Sequence, residues 1–449
     1  MPVIPATATS SPNKPGFKEA FYFWLKLGFI SFGGPAGQIG IMHAFVVEQK
    51  KWVSDSRFLH ALNYCMLLPG PEAQQLATYI GWLLHGVRGG LTAGILFVLP
   101  SVFILLGLSL VYVTYGSIPW VAALFYGLKP AVVAIVALAL VKIGKKALVS
   151  GLHYGLALLS FVLIYFLEVP FPFLILGAAG IALFLLRFSP RVLKQQSAEE
   201  KRPDYETGYY INSASALPQS GFSWKRMAKQ LSVAALLWVV PFLLFYLLLQ
   251  ETGFWNRLSL FFTKAALVTF GGAYAVLPYV AQVAVEKFNW LSSYQMIDGL
   301  ALGETTPGPL VMVLAFVGFM AGYNYFAGSL LMGTLGLLVT TYYTFLPCFL
   351  FILVGAPVVE NSQSNVRVKA VLNVITAAVV GVVLNLTVYF GQAVVIGGIH
   401  TNLGIDYFAL GWIVVSLLAM YRYKVGMIPW IGISALAGLV MYLLGYCQP

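Results

Sequence analysis

Charged residues and cysteines are scarce in this chain of 449 residues. With 9% charged and 60% hydrophobic residues, the chain cannot enclose its core within a polar surface, as a soluble globular protein does. The three cysteines, Cys65, Cys348 and Cys447, are widely spaced, which indicates neither a disulfide framework nor a metal site. Paired His/Glu zinc motifs, phosphate-binding P-loops and nucleophile elbows are also missing from the sequence. We therefore expect no enzyme, no metal and no cofactor.

Long apolar runs dominate the sequence instead. Runs such as 91–113, 231–249 and 330–354 approach or exceed the roughly 20 residues with which a helix crosses a bilayer. The residue alternation of a transmembrane β-barrel is missing. The sequence therefore predicts an all-α polytopic membrane protein with about 12–13 hydrophobic segments. Residues 1–19 form an N-terminal tail whose polar, proline-rich start lacks the features of a secretory signal, so we expect no cleavage.

The basic residues indicate how the chain is oriented. A net charge of +11 could point to nucleic acid, but most lysines and arginines lie at the ends of apolar segments, where membrane orientation explains them. We therefore expect no nucleic-acid partner. The one long polar interval, 188–228, is rich in these residues and is predicted to be a cytoplasmic linker. Counting segments outward from it places the basic loop 47–57 on the opposite side, against the positive-inside tendency.

The stretches on the two sides of the linker are related in sequence. "SFGGP" at 31–35 and "TFGGA" at 269–273 are 238 residues apart. The same offset aligns further positions without a gap, namely Lys26 with Lys264, Glu48 with Glu286, Trp52 with Trp290, Ser54 with Ser292, and Pro-Gly-Pro at 69–71 with Pro-Gly-Pro at 307–309. Hydrophobic composition alone would not align glycine, proline, lysine and tryptophan in this way. The chain therefore contains an internal repeat.

The linker divides the chain into two transporter repeats. The first is placed at 20–187, and the second, at 229–449, begins with one extra helix. Because an odd number of segments separates the two copies, they are predicted to have inverted topology, as in many secondary transporters, whose substrate site lies where broken helices of both halves meet. A duplicated bundle without a transport role is the alternative.

Two motifs inside apolar segments predict broken helices. Two prolines around a glycine can hardly continue a helix, whereas a glycine pair either relaxes the backbone or permits close packing. The N–H groups that begin the next half-helix are suited to bind an anion. We therefore expect substrate contacts from the motif residues and their polar neighbours, which are Ser31, Gly33, Gly34, Pro69, Gly70, Pro71, Gln74, Gln75, Thr269, Gly271, Gly272, Thr305, Thr306, Pro307, Gly308 and Pro309.

Lysines and glutamates accompany these motifs. Lys26 and Lys264 each precede a Phe-Gly-Gly motif by six residues, about 9 Å along a helix, and are predicted to bind substrate by lining an anion entry path. Snorkelling of the ammonium to the membrane interface is the alternative. Glu72 and Glu304 lie in or beside the Pro-Gly-Pro motifs and are candidates for proton coupling. Glu72 could instead complement the positive end of the helix that follows it.

Four longer stretches resemble one known family. "FGGPAGQIG", "LLPGPEAQQLATYIGWLLHGVRGG", "DGLALGETTPGPLVMVLAFVGFMAG" and "TYYTFLPCFLFILVGAPVVE", in this order, are similar to the chromate ion transporter family in its long, two-domain form. The resemblance covers nearly the whole chain outside the tail and the linker. It implies a multi-pass secondary transporter of the bacterial inner membrane that exports chromate, a tetrahedral dianion, and confers chromate resistance. It also implies that the Phe-Gly-Gly and Pro-Gly-Pro segments handle the substrate.

Two alternatives to chromate export stay open at this point. Sulfate is similar to chromate in size and charge, so sulfate or another oxyanion is an alternative substrate. The alternative from a different functional class is a membrane receptor or scaffold that transports nothing. Such a protein would need a soluble module larger than the linker. Membrane lipids are expected partners, and a homodimer is one candidate assembly.

Overall fold

The computed structural model describes residues 14–32, 34–188, 208–212, 215, 223–248, 251–270, 272–359, 366–396 and 404–446. These residues form α-helices joined by short turns, and among them the one β-type pairing is an isolated bridge between Val53 and Ile211. The predicted all-α fold is therefore confirmed.

Sixteen α-helices follow one another in the described residues. The first half contains α1 Phe17–Ile30, α2 Gly34–His43, α3 Asp55–Cys65, α4 Glu72–Tyr115, α5 Pro119–Ala147, α6 Gly151–Leu167 and α7 Phe171–Phe188. The second half contains α8 Trp224–Leu248, α9 Thr252–Val268, α10 Ala273–Ala281, α11 Ser293–Thr305, α12 Val313–Tyr325, α13 Leu330–Val359, α14 Val366–Val395, α15 Tyr407–Leu417 and α16 Met427–Leu443.

Six of these helices are long and apolar enough to cross a membrane, namely α4, α5, α7, α8, α13 and α14. Shorter apolar helices, including α6, α15 and α16, lie beside them. The protein is therefore a multi-pass membrane protein. The number of long helices is smaller than the predicted number of hydrophobic segments for two reasons: four of those segments are each broken into short helices, and three others form the short helices α6, α15 and α16.

The segment that contains α1 and α2 folds back on itself at the Phe-Gly-Gly motif. The aromatic ring of Phe45, just after α2, stacks on that of Phe23 in α1 with 3.8 Å between centroids. Lys50 Nζ then lies 2.7 Å from Glu19 Oε1, near the start of α1. The two helices therefore enter and leave at the same end of the bundle.

Helix α4 is two helices joined by a tight turn. The backbone leaves the helical region at His85 (φ −137°, ψ 20°) and Gly86 (φ 64°, ψ −154°). The two parts then pack so closely that a Cβ at Gly81 would lie 2.5 Å from the carbonyl oxygen of Gly89. Small residues allow this approach between helix backbones in membranes. The turn therefore brings the second part of α4 back alongside the first. The first part also forms a hairpin with the preceding α3, the second hairpin of this half.

The second half repeats both hairpins. Asn324 Nδ2, at the end of α12, donates to the Trp290 carbonyl before α11 at 2.8 Å, and Phe254 in α9 contacts the Trp290 ring. A Cβ at Gly318 in α12 would lie 2.6 Å from the Gly336 carbonyl oxygen in α13. Helices α9 and α10, and likewise α11 and α12, therefore enter and leave together.

Contacts with the linker define one end of the bundle. The Ser54 N–H donates to the Ile211 carbonyl at 2.8 Å, and Arg57 Nε donates to the Asn212 carbonyl at 3.0 Å. The turn at His85 lies at the same end, since His85 Nε2 is 2.9 Å from the Pro15 carbonyl oxygen. We call this the linker end, and the opposite end, where α4 joins α5 and where α11 begins, the far end.

The loop 47–57 therefore lies beside the linker, and the expectation that it lies on the opposite side was wrong. The Tyr210 N–H donates to the Lys51 carbonyl at 3.1 Å. A count of crossings places this loop on the wrong side because segments 20–46 and 58–85 each fold back instead of crossing the membrane once. With the loop at the linker end, its basic residues join those of the linker, as the positive-inside tendency requires.

The repeat is visible in local structure. The π-helical turns Ala44–Gln49 and Gln282–Lys287 occupy equivalent positions, 238 residues apart, as do the helix caps Ser54 and Ser292. Between these positions the chain passes through the second part of α4 and through α5, α6, α7 and α8. Five crossings are an odd number, which is compatible with inverted copies. The inversion itself stays a prediction.

Candidate functional site

The breaks of the two halves meet by reciprocal backbone hydrogen bonds. The Gly70 N–H donates to the Thr269 carbonyl at 2.8 Å, and the Gly308 N–H donates to the Ser31 carbonyl at 2.8 Å. Gly70 and Gly308 are equivalent in the repeat, and so are Ser31 and Thr269. Each Pro-Gly-Pro motif therefore binds the residue that precedes the Phe-Gly-Gly motif of the other half.

The sequence explains why these groups pair. Ser31 and Thr269 end α1 and α9 with nearly the same backbone angles (φ −80°, ψ 77° and φ −77°, ψ 78°), so their carbonyls are no longer used within a helix. Proline supplies no N–H, so the glycine between the two prolines is the donor that each Pro-Gly-Pro motif can offer. We call this pairing the crossing.

Glycine is required at both centres of the Pro-Gly-Pro motifs. Gly70 and Gly308 have φ of +123° and +101°, a region that residues with a Cβ rarely adopt. A Cβ at Gly70 would lie 2.8 Å from Cys348 Sγ, and one at Gly308 would lie 1.9 Å from Ser101 Oγ. Both the backbone conformation and the space around it therefore exclude a side chain.

Buried polar side chains complete the crossing. Gln38 Nε2 donates to the Gly308 carbonyl at 2.6 Å and to the Ser31 carbonyl at 3.3 Å, which joins the halves a second time. Gln75 Nε2 donates to the Pro69 carbonyl at 2.8 Å, and Ser101 Oγ donates to the Pro307 carbonyl. The freed carbonyls of both motifs are therefore satisfied within the protein rather than by lipid.

Three predicted polar neighbours have atoms that form no hydrogen bond with described residues. These atoms are Ser31 Oγ, Gln74 Oε1 and Gln75 Oε1, and all three side chains are fully buried. A serine hydroxyl can donate to an anion, whereas a free amide oxygen can only accept. Ser31 is therefore the best-placed hydroxyl donor for an oxyanion at the crossing.

The remaining predicted hydroxyls are used locally. Thr269 Oγ1 donates to the Ala265 carbonyl at 2.6 Å, and Thr305 Oγ1 and Thr306 Oγ1 both donate to the Leu302 carbonyl, at 2.8 and 2.7 Å. They would have to rotate away from their own helices before they could donate to a substrate.

The other motif residues begin or end helices at the crossing. Gly34, with φ +72°, is the first residue of α2, and Gly272, with φ +96°, precedes α10. Pro71 precedes α4, and Pro309 precedes a 3₁₀ turn, Leu310–Met312, that leads into α12. The predicted breaks are therefore present at all four motifs. Gly33 and Gly271 lie outside the described residues.

The two glutamates differ in their surroundings. Glu304 is 4% exposed and accepts a hydrogen bond from Tyr274 OH at 2.5 Å, which ties the end of α11 to the start of α10. Glu72 is the first residue of α4 and is only partly buried. Its carboxylate stands at the positive end of that helix, where it would compete with an anion for the same N–H groups.

The two predicted entry lysines do not join the crossing. Lys26 and Lys264 are exposed on α1 and α9, on faces that also expose large apolar side chains such as Phe29 and Leu267. Ser31 and Thr269, by contrast, are buried. The structure therefore brings the break residues together and leaves both lysines on the outer faces of their helices.

A second polar cluster lies at the far end and was not singled out from the sequence. Asp298 in α11 accepts a hydrogen bond from Tyr112 OH at 2.9 Å, and Lys129 Nζ lies 3.8 Å from its other oxygen. These residues line a cavity of about 470 Å³. The available signal was Lys129 itself, a lone charge ten residues inside an apolar helix, which marks a functional candidate in a membrane.

Comparisons with known proteins agree with the motif pattern. The family model for the chromate transporter matches residues 18–184 and 255–439. A probable chromate transport protein of Synechococcus elongatus is 30% identical over 376 residues, which cover 84% of each chain. The chromate transport proteins of Cupriavidus metallidurans and Pseudomonas aeruginosa are each 29% identical, over 95% and 97% of this chain and 93% and 95% of theirs. No solved structure matches the chain. The chain belongs to the chromate transporter family.

Proposed function

We propose that this protein is a secondary transporter that exports chromate across the bacterial inner membrane and so confers chromate resistance. Family membership supports the substrate and the membrane setting. The observation that carries the mechanism is the crossing, where Gly70 and Gly308 bind the equivalent residue of the opposite half. Broken helices that meet between repeats are the usual place for a transporter's substrate site.

The membrane potential favours export. Moving one charge through 100 mV changes its free energy by about 2.3 kcal/mol. The free energy of a dianion that leaves a negative-inside cell at this potential therefore falls by about 4–5 kcal/mol. Export therefore needs no further driving force, and proton coupling through Glu72 or Glu304 would add to it. Uptake of the same dianion would instead need a coupling ion.

The reciprocal bonds suit alternating access. Four hairpins of two half-helices each approach the crossing, two from each end of the bundle, so that each half supplies both a donor glycine and an acceptor carbonyl. A movement of one half against the other would open the crossing toward one end while the second pair of residues holds. An anion would then meet the Ser31 hydroxyl and the N–H groups at the start of a half-helix.

Transport by purified protein in liposomes tests this function. Counterflow of labelled chromate and labelled sulfate would be measured with the membrane potential and the pH gradient imposed separately. Chromate exchange that responds to potential is the expected result, and liposomes without protein provide the control.

The outcomes separate the alternatives. Counterflow of sulfate that exceeds that of chromate would make sulfate the main substrate. The absence of counterflow for both anions in folded, inserted protein would favour a receptor or scaffold.

A further inference from the structure

The far-end cavity is a separate site from the crossing. Its volume of about 470 Å³ falls in the range of about 300–1,000 Å³ that is common for small-molecule sites. Residues of α4, α5, α11, α12, α14 and α15 contribute to it, and its polar residues include Tyr112, Lys129, Asp298 and Asp406, as well as Tyr294, whose ring centroid lies 4.7 Å from Lys129 Nζ.

The ion pair in this cavity is open. Lys129 Nζ and Asp298 Oδ1 are 3.8 Å apart, beyond hydrogen-bond distance. Asp298 is 4% exposed, and this oxygen accepts no hydrogen bond from the described residues. A buried carboxylate oxygen normally has such a partner. A gap of 3.8 Å leaves no room for a further group between the two, so a ligand would approach the Lys129 ammonium from the cavity side.

Both oxygens of the second carboxylate in the cavity, that of Asp406, already accept hydrogen bonds. Asp406 Oδ1 accepts the Ala409 N–H at 2.8 Å, and Asp406 Oδ2 accepts Tyr126 OH at 2.7 Å. It caps the N-terminus of α15, whose dipole offsets its charge. Asp298 is therefore the group that competes directly for the Lys129 ammonium.

We propose that Lys129 binds a tetrahedral oxyanion in this cavity at the far end and that Asp298 is its built-in competitor. The inference rests on the proposed function. An entering dianion displaces the Asp298 carboxylate from the ammonium, and the carboxylate takes the ammonium back when the anion leaves. Such competition lowers the affinity for the anion, which suits a site of release rather than of capture.

Helix α11 connects this site to the crossing. Asp298 and Glu304 are six residues apart on it, about 9 Å along the helix axis. Glu304 lies just before the Pro-Gly-Pro motif at 307–309. An anion that moves from Glu304 toward the far end along α11 would therefore meet the pair of Asp298 and Lys129 after about 9 Å.

Two charge-removing variants of the full-length protein test the site. Chromate binding would be measured at equilibrium with purified protein at two salt concentrations, normalised to the folded fraction. We expect Lys129→Gln to weaken the affinity about tenfold and Asp298→Asn to strengthen it by a similar factor, since one removes the attraction and the other its competitor. Both effects should largely persist at high salt, because salt screens charges in a buried site much less than exposed ones.

Further variants define the effect. Lys129→Arg keeps the charge and should retain the wild-type affinity, whereas the double variant Lys129→Gln/Asp298→Asn should match Lys129→Gln alone. Lys287→Gln, which removes an exposed lysine at the same end, is the matched control and should change nothing. Asp298→Ser serves if the asparagine variant does not fold.

The sign of the change decides the question. A purely structural ion pair predicts that both single variants weaken binding together with stability, and that result would overturn the proposal. Unchanged affinity in both variants of a protein that transports chromate would refute this site alone. A wild-type protein that neither binds nor transports chromate or sulfate would refute the proposed function and the site together.

Discussion

The backbone N–H of Gly70 donates to the carbonyl of Thr269 across the two halves of the chain, at 2.8 Å. Its counterpart in the repeat, from Gly308 to Ser31, has the same length. A broken helix leaves backbone groups that lipid cannot satisfy. Because each half satisfies the broken helices of the other, neither half can bury its own breaks alone, and the two must assemble as a unit.

Inverted topology predicts that equivalent loops lie on opposite sides of the membrane. Gln49 and Lys287 are equivalent in the repeat, and both are exposed at the ends of their π-helical turns. Gln49→Cys and Lys287→Cys should therefore react with an impermeant maleimide from opposite sides of sealed vesicles. Ser54, although it has the equivalent Ser292, is buried and would not serve.

Because Cys447 lies outside the described residues, a Cys447→Ser protein is the background for both variants and the control for this labelling. Cys65 and Cys348 are buried, so they should stay unlabelled in intact vesicles. Reaction of both introduced cysteines from the same side would contradict the inverted arrangement.

Much of the crossing could be predicted from sequence because its cause is local. Proline and glycine interrupt a helix wherever they occur, so Pro69–Pro71 and 307–309 predict breaks without knowledge of the fold. The repeat offset further indicated that the two breaks have equivalent surroundings. Which carbonyl each glycine binds could not be read, since the two pairs join residues 199 and 277 positions apart in the chain.

The sequence-based prediction of membrane topology was wrong where a hydrophobic segment can adopt either of two structures. A run of about 20–30 apolar residues is compatible with one spanning helix or with two half-helices that fold back. Segments 20–46 and 58–85 take the second solution, which reversed the predicted side of the loop 47–57. The pair of Lys129 and Asp298 was missed because the two residues lie on different helices, far apart in sequence.

Substituting the central glycine of a Pro-Gly-Pro motif should impair transport. Gly308→Ala forces a residue with a Cβ into φ +101°, at a cost of roughly 1–3 kcal/mol, and places that Cβ against Ser101 Oγ. We expect chromate transport in liposomes to fall at least about tenfold, the equivalent of about 1.4 kcal/mol. Gly70→Ala should act in the same direction.

A matched control and a partial rescue are available. Gly40→Ala lies in α2 with open space around the added Cβ and should transport normally. Adding Ser101→Ala to Gly308→Ala removes the clashing hydroxyl and should restore part of the activity. Full transport by Gly70→Ala and Gly308→Ala would show that the motif glycines serve packing alone.

Charge removal at the two repeat lysines tests whether they guide the anion. Because both lysines lie on the outer faces of α1 and α9, Lys26→Gln and Lys264→Gln should each lower membrane insertion and leave the chromate affinity of the inserted protein at the wild-type value. Binding would be measured at two salt concentrations and normalised to folded protein. If both lysines instead guide the anion, each single variant would bind chromate more weakly and the double variant would lose more, since both cations would then act on one dianion.

Variants of the buried pair of Glu304 and Tyr274 can distinguish a structural role of Glu304 from a role as proton carrier. Tyr274→Phe removes the hydrogen bond to the carboxylate of Glu304, a residue that is 4% exposed. This variant should therefore lower the free energy of unfolding by about 1–3 kcal/mol. Glu304→Gln keeps an oxygen that can accept the same bond and should remain folded. If Glu304 carries the coupled proton, this variant should still transport chromate when a potential is imposed but should no longer respond to a pH gradient alone. Glu72→Gln, at the partly buried glutamate, is the comparison. If Glu304→Gln still transports chromate in response to a pH gradient and Glu72→Gln does not, Glu72 and not Glu304 carries the coupled proton.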